Sequence, residues 1–194
     1  MKKKSFLLAG LLGLLPLIPL GAHAEDVLMP QWGKQVVTVQ SGQAITFYDY
    51  KGCYKDGSTT SAFSADAYAT TIFKPVTDGE KVKIVFETVL MTTDNWEEDS
   101  YASLKIYKGV FDTTSVTYTK YSLAGFPKND NMLEDLTGGT FTNKTYMSSD
   151  ATGALSVCYH AYTTAWDKQG WKATVTTVSS SPMEVKSATA DYTN

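Results

Sequence analysis

Arginine is missing altogether: the 17 basic residues among the 194 are all lysines. Arginine's planar fork is the preferred reader of phosphate and guanine, so its absence argues against nucleic acid as a partner. Histidine occurs only at His23 and His160, which excludes a zinc site built on histidines. Any Ser-His-Asp relay would have to use His160, and the chain has no G-x-S-x-G elbow to present a serine to it. Glycosidase-type carboxylate pairs are poorly supported in a chain this small with no evident cleft. The chain therefore reads as non-catalytic. No stretch carries a 3.6-residue apolar period, so a helical fold is not expected either.

The one long apolar run is Phe6 to Leu20. Lys2, Lys3 and Lys4 precede it, and the small-x-small site Ala22-His23-Ala24 follows. That is the pattern of a signal peptide over residues 1–24, with the mature chain beginning at Glu25. Pro16 and Pro19 interrupt the run, which is shorter than the roughly 20 residues a spanning helix needs. The expectation is an exported protein, extracellular, at the cell surface or periplasmic, with no membrane span in its mature chain. Three of the 17 lysines fall in this leader, leaving 14 against 20 acids, a net charge near −6. That balance argues against anionic lipid surfaces.

What is present is a succession of short alternating segments rich in Thr, Val and Tyr, separated by Gly, Pro and Asp. Apolar residues at every second position bury one face of a strand. Strands are expected at 35–40, 44–49, 69–75, 81–86, 103–109, 114–123, 140–147, 154–160 and 171–178. Met132 to Leu136 is read as a short helical turn, and 125–139 as irregular. The organisation expected is a lead-in over 25–35, one domain over 36–178, and a linker or tail over 179–194. Many short strands with turn signals between them indicate a sandwich or barrel. The stretch Lys81 to Gly109 is taken as its central hairpin, two strands around an acidic loop.

Ser103-Leu104-Lys105-Ile106-Tyr107-Lys108-Gly109, preceded by an apolar strand and an acidic loop, resembles the D-x-L-x-I-x-D-G core of CUB domains. Ala154 to His160 followed by Gly170-Trp171-Lys172-Ala173-Thr174-Val175 resembles their closing hairpin. The likeness covers roughly Val36 to Val178. It implies an all-β, antiparallel two-sheet β-sandwich of CUB-like jelly-roll type, with a non-enzymatic role in recognising protein or carbohydrate. Many CUB domains bind calcium, but Thr92, Ala102 and Tyr162 stand where the family has its acidic ligands. That site is not carried over, and the usual four cysteines are reduced to two.

The candidate sites follow from side-chain chemistry. Asp94, Glu97, Glu98 and Asp99 crowd oxygen donors into one loop, and Asp167 could complete a relocated calcium site under the family topology. A solvated acidic loop is the other reading, and no cofactor is required. Trp96 and Trp166, flanked by Tyr101 and Tyr162, are candidates for stacking on a sugar face or anchoring a protein partner. Cys53 and Cys158 could close one disulfide in an exporting compartment, or could remain two small buried thiols. Trp171 is read as core. The function expected is a secreted or surface binding or adhesion module for extracellular protein or glycan. The alternatives are a carbohydrate-binding module and the N-terminal targeting module of a longer surface enzyme.

Overall fold

A computed structural model describes residues 25–52, 54–55, 67–91, 102–118, 126–161 and 170–179. Ten strands are present among them: β1 Glu25–Leu28, β2 Trp32–Val39, β3 Ile45–Tyr48, β4 Ala67–Pro75, β5 Glu80–Met91, β6 Ala102–Lys108, β7 Met132–Asp135, β8 Gly139–Met147, β9 Leu155–Ala161 and β10 Gly170–Ser179. They form two five-stranded sheets packed face to face, ordered β1-β3-β10-β5-β8 and β2-β4-β9-β6-β7. The chain is an all-β sandwich. No helix among the described residues is long and apolar enough to cross a membrane.

The alternation seen in sequence is what fills the core. Val82, Ile84, Phe86, Val89 and Met91 of β5 are buried, while the residues between them are only half-buried. Glu87 and Lys172, on the opposite face, form an ion pair at 2.8 Å. From β10, Trp171, Ala173 and Val175 point the same way as the buried β5 set. Leu104 and Ile106 of β6 join Leu155, Val157 and Tyr159 of β9 from the other sheet. Four aromatic rings link the layers, the inner two from the first sheet and the outer two from the second. Phe73 packs edge-on to Phe47 at 5.0 Å between centroids, Phe47 lies 5.6 Å from Trp171, and Trp171 lies 5.1 Å from Tyr159.

The topology departs from the expected hairpins. β5 belongs to the first sheet and β6 to the second, so Lys81 to Gly109 is an arch across the core. β9 and β10 are separated in the same way. A period of two identifies the buried face of a strand but not its partner, and two strands with apolar inner faces can oppose each other across a core as readily as pair edge to edge. Except for β6 to β7, each connection between consecutive strands crosses from one sheet to the other. Strands two apart in sequence can then be neighbours running in the same direction. Hence β1 pairs with β3, and β2 with β4, in parallel. The remaining pairings are antiparallel, so the purely antiparallel reading is corrected at one side of the sandwich.

Three local expectations are also corrected. The lead-in contains β1, an edge strand too short and acidic to show an alternating pattern. Met132 to Asp135 is strand β7, extended by its pairing with β6. The described part of 114–123 is no strand: Thr114 to Tyr118 belongs to the connection that lies over the outer face of the second sheet. Tyr118, its described aromatic, is half-buried against the cluster on that face.

Candidate functional site

Strand direction determines which chain segments share an end of the sandwich. Gly170 pairs beside Leu90 and Met91 beside Gly139 in the first sheet. In the second, Ala67 and Ala102 both register with Ala161. Tyr48, the last residue of β3, registers with Lys172 near the start of β10. The strand ends Tyr48, Met91, Ala161 and the starts Ala67, Ala102, Gly170 therefore lie at one end, called here the top. The described residues that flank 92–101 and 162–169 lie there, as do those that flank the chain between β3 and β4.

Asp94, Trp96, Glu97, Glu98, Asp99 and Tyr101 fall in the first of these segments, and Tyr162, Trp166 and Asp167 in the second. All nine lie outside the described residues, as do Cys53, residues 1–24 and the tail beyond Ser179. Among the described residues, no three His, Cys, Asp or Glu side chains come together as a metal site.

Cys158 is a free, buried thiol. As its strand parity required, it faces away from Leu155, Val157 and Tyr159. That outer face is covered by the β6–β7 connection, which adds a second core of Tyr68, Tyr107, Phe111, Phe126 and Cys158. The cover is held by polar contacts as well as rings. Phe111 N–H donates to Ser156 Oγ at 2.9 Å, and Ser156 Oγ–H donates to the Gly109 carbonyl at 2.8 Å. Tyr107 OH donates to the Pro127 carbonyl at 2.7 Å, and Lys105 Nζ to the Phe126 carbonyl at 2.6 Å. Tyr118 OH donates to Thr70 Oγ1 at 2.9 Å, and Thr70 Oγ1 lies 3.4 Å from Cys158 Sγ. His160 is buried with its ring 4.7 Å from that of Tyr68.

This cover was the part that strand-by-strand reading missed, though a signal was there. β9 reads Leu-Ser-Val-Cys-Tyr-His-Ala, with no charge on either face, and a strand without charge on both faces is one buried on both faces. The environment suits packing better than reactivity. Burial pushes the Cys158 thiol far up, away from the thiolate that nucleophilic or redox chemistry would need. Burial lowers the Lys105 amine, with Asp135 opposing that shift.

A pH dependence follows from this cluster together with Tyr146 of the main core. Burial raises the phenols of Tyr68 and Tyr146 from about 10 to about 12, and those of Tyr107 and Tyr118 in the same direction. A group whose folded value lies above its unfolded one contributes stability that is complete below the unfolded value and lost as pH climbs to the folded one. Cys158 acts likewise. Lys105, lowered on folding, works the other way, since deprotonation relieves the cost of its buried charge. With five groups against one, stability is expected to fall steeply from about pH 9 to about pH 12. Denaturant midpoints over that range, with phenolate absorbance followed in parallel, check this. Tyrosines that all ionise near pH 10 in an intact fold would contradict it.

Two of the cavities lined by described residues flank the sandwich. A groove of about 440 Å³ runs between the edge strands β1 and β2, lined by Glu25 to Leu28 and Gln35 to Thr38. A smaller cavity of about 250 Å³ lies where the β6–β7 connection leaves the bottom, between Phe111, Asp112, Pro127, Asn129 and Asn131. Neither brings together a nucleophile, a base and an oxyanion donor in the way acyl-transfer catalysis requires. No protein-family model matches the chain, and no curated protein matches it either.

Proposed function

We propose that this chain is an exported, non-catalytic recognition module, a CUB-like sandwich that binds extracellular protein or glycan through its top. The leader pattern of residues 1–24 supports export. The observation that carries the rest is the common end shared by Met91, Ala102, Ala161 and Gly170. Chain connectivity anchors at that end both the acidic segment with Trp96 and the segment with Trp166 and Asp167. Tryptophan supplies large stacking area at low entropic cost, and carboxylates supply hydroxyl acceptors or oxygen ligands for calcium. A rigid sandwich presenting variable segments at one end is a common arrangement for binding.

The test is binding of the purified chain to a glycan array and to an array of extracellular proteins, each with millimolar calcium and with chelator. An aromatic anchor contributes on the order of 2 kcal/mol. Trp96→Ala or Trp166→Ala is therefore expected to weaken a detected interaction by about tenfold or more. Binding that survives both substitutions unchanged, or silence on both arrays, would argue against the proposal.

A further inference from the structure

Among the described residues, four strands close the two sheets at their sides, and three of them are guarded against further pairing. β8 is broken where Glu87 and Asn143 leave the ladder together, with Asn143 at a φ of 53°. β7 is four residues long and carries Glu134 and Asp135. β1 is equally short and begins with Glu25 and Asp26. Short length, bulges and charge are the usual means of blunting a sheet edge.

β2 has none of these beyond its first residues. After Gly33, whose φ of +83° kinks the entry, Lys34 to Val39 runs in unbroken register along β4 with no proline and no acid. In a parallel ladder a residue directs its N–H and its C=O to the same neighbour, in alternation along the strand. The bond from Val76 N–H to the Val39 carbonyl sets the parity. Val39, Val37 and Gln35 are turned toward β4, so the backbone groups of Lys34, Val36 and Thr38 are turned outward. The 440 Å³ groove shows that the space beside them is open. The Val36 side chain is 52% exposed on the outer face.

We propose that the β2 edge pairs with the same edge of a second copy of this chain, antiparallel, across a two-fold axis at Val36. The two second sheets then become one continuous sheet. Self-pairing is favoured by the charge pattern. With the axis at Val36, that residue meets the partner's Val36, and Lys34 meets the partner's Thr38. No like charges oppose each other, and all three outward-directed residues find partners, giving about six backbone hydrogen bonds. Moving the axis to Lys34 sets two ammonium groups against each other. Moving it to Thr38 shortens the ladder, because Gln40 N–H is already held by Gln43 Oε1 at 3.1 Å. The interface is isologous, as a closed two-fold dimer requires. It lies at the side of the sandwich and leaves the top free for recognition.

The test is sedimentation equilibrium of the exported chain over a wide concentration range, beside Val36→Pro and Val36→Lys. Proline is tolerated at an edge position whose N–H faces away from the sheet, so the first variant removes the central donor while leaving the β2–β4 ladder intact. The second places like charges across the axis at an exposed position. A concentration-dependent dimer in the native chain is expected, with both variants monomeric and their circular dichroism and thermal midpoints close to native. Native-chain amide exchange at Val36 and Thr38 should slow as the dimer forms. A native chain that stays monomeric throughout would overturn the proposal, as would a Val36→Lys variant that dimerises like the native chain.

Discussion

Trp171→Ala is expected to lower stability by about 3–5 kcal/mol, the cost of emptying a fully buried large aromatic site. A domain of this size has only about 5–15 kcal/mol to lose. Trp171 is 0% exposed, belongs to β10 in the middle of the first sheet, and touches a ring from each sheet, Phe47 in its own and Tyr159 in the other. Its truncation removes the central link of a four-ring series that spans both layers, and the neighbouring rings are too rigid to close the gap. Trp171→Phe should cost much less, because its ring keeps most of the contacts and the indole N–H it removes has no hydrogen-bond partner. Denaturant unfolding of the three proteins measures the series. A Trp171→Ala loss below about 1 kcal/mol would mean that the ring series is not what couples the sheets.

Gly153→Ala is expected to cost about 2–5 kcal/mol, through backbone geometry instead of a cavity. Gly153 sits at a φ of +69° in the turn between β8 and β9, where a Cβ would lie 2.1 Å from the Glu80 carbonyl oxygen and 3.0 Å from Pro75 Cγ. The turn cannot back away easily. The Gly153 carbonyl accepts from Val82 N–H at 2.8 Å, and its own N–H donates to the Asp150 carbonyl at 3.1 Å. Left-handed strain and a clash with main chain therefore act at one point. Because Glu80 begins β5 and Pro75 ends β4, relief would have to displace a strand end in each sheet. A thermal midpoint unchanged by the substitution would show that the turn can relax.

The fold was readable to the depth that periodicity reaches. Val82, Ile84 and Phe86, Leu104 and Ile106, and Leu155, Val157 and Tyr159 declared their buried faces, and all of them lie in the core. Pairing was not readable. The same residues that make Lys81 to Gly109 look like a hairpin also suit an arch, and only the three-dimensional contest among partners decides. β1 stayed hidden because Glu-Asp-Val-Leu offers a single inward-facing apolar residue. The cover over β9 was missed because Phe111, Tyr118 and Phe126 pack from irregular backbone, which no period betrays. Of the candidate site, the sequence supplied the chemistry of the acidic and tryptophan-bearing segments, while strand direction supplied their common anchorage.

The crossing connections bear on how the chain acquires its structure. Consecutive strands, apart from β6 and β7, are placed in opposite sheets, so almost no ladder can be assembled by zipping from a local turn. Each sheet must wait for strands that arrive from distant parts of the sequence, and the loop-closure entropy is spent before the first rungs form. Proteins dominated by such non-local pairing fold on the millisecond-to-second scale. Slow assembly of this kind leaves strand edges unpaired for as long as their distant partners take to arrive.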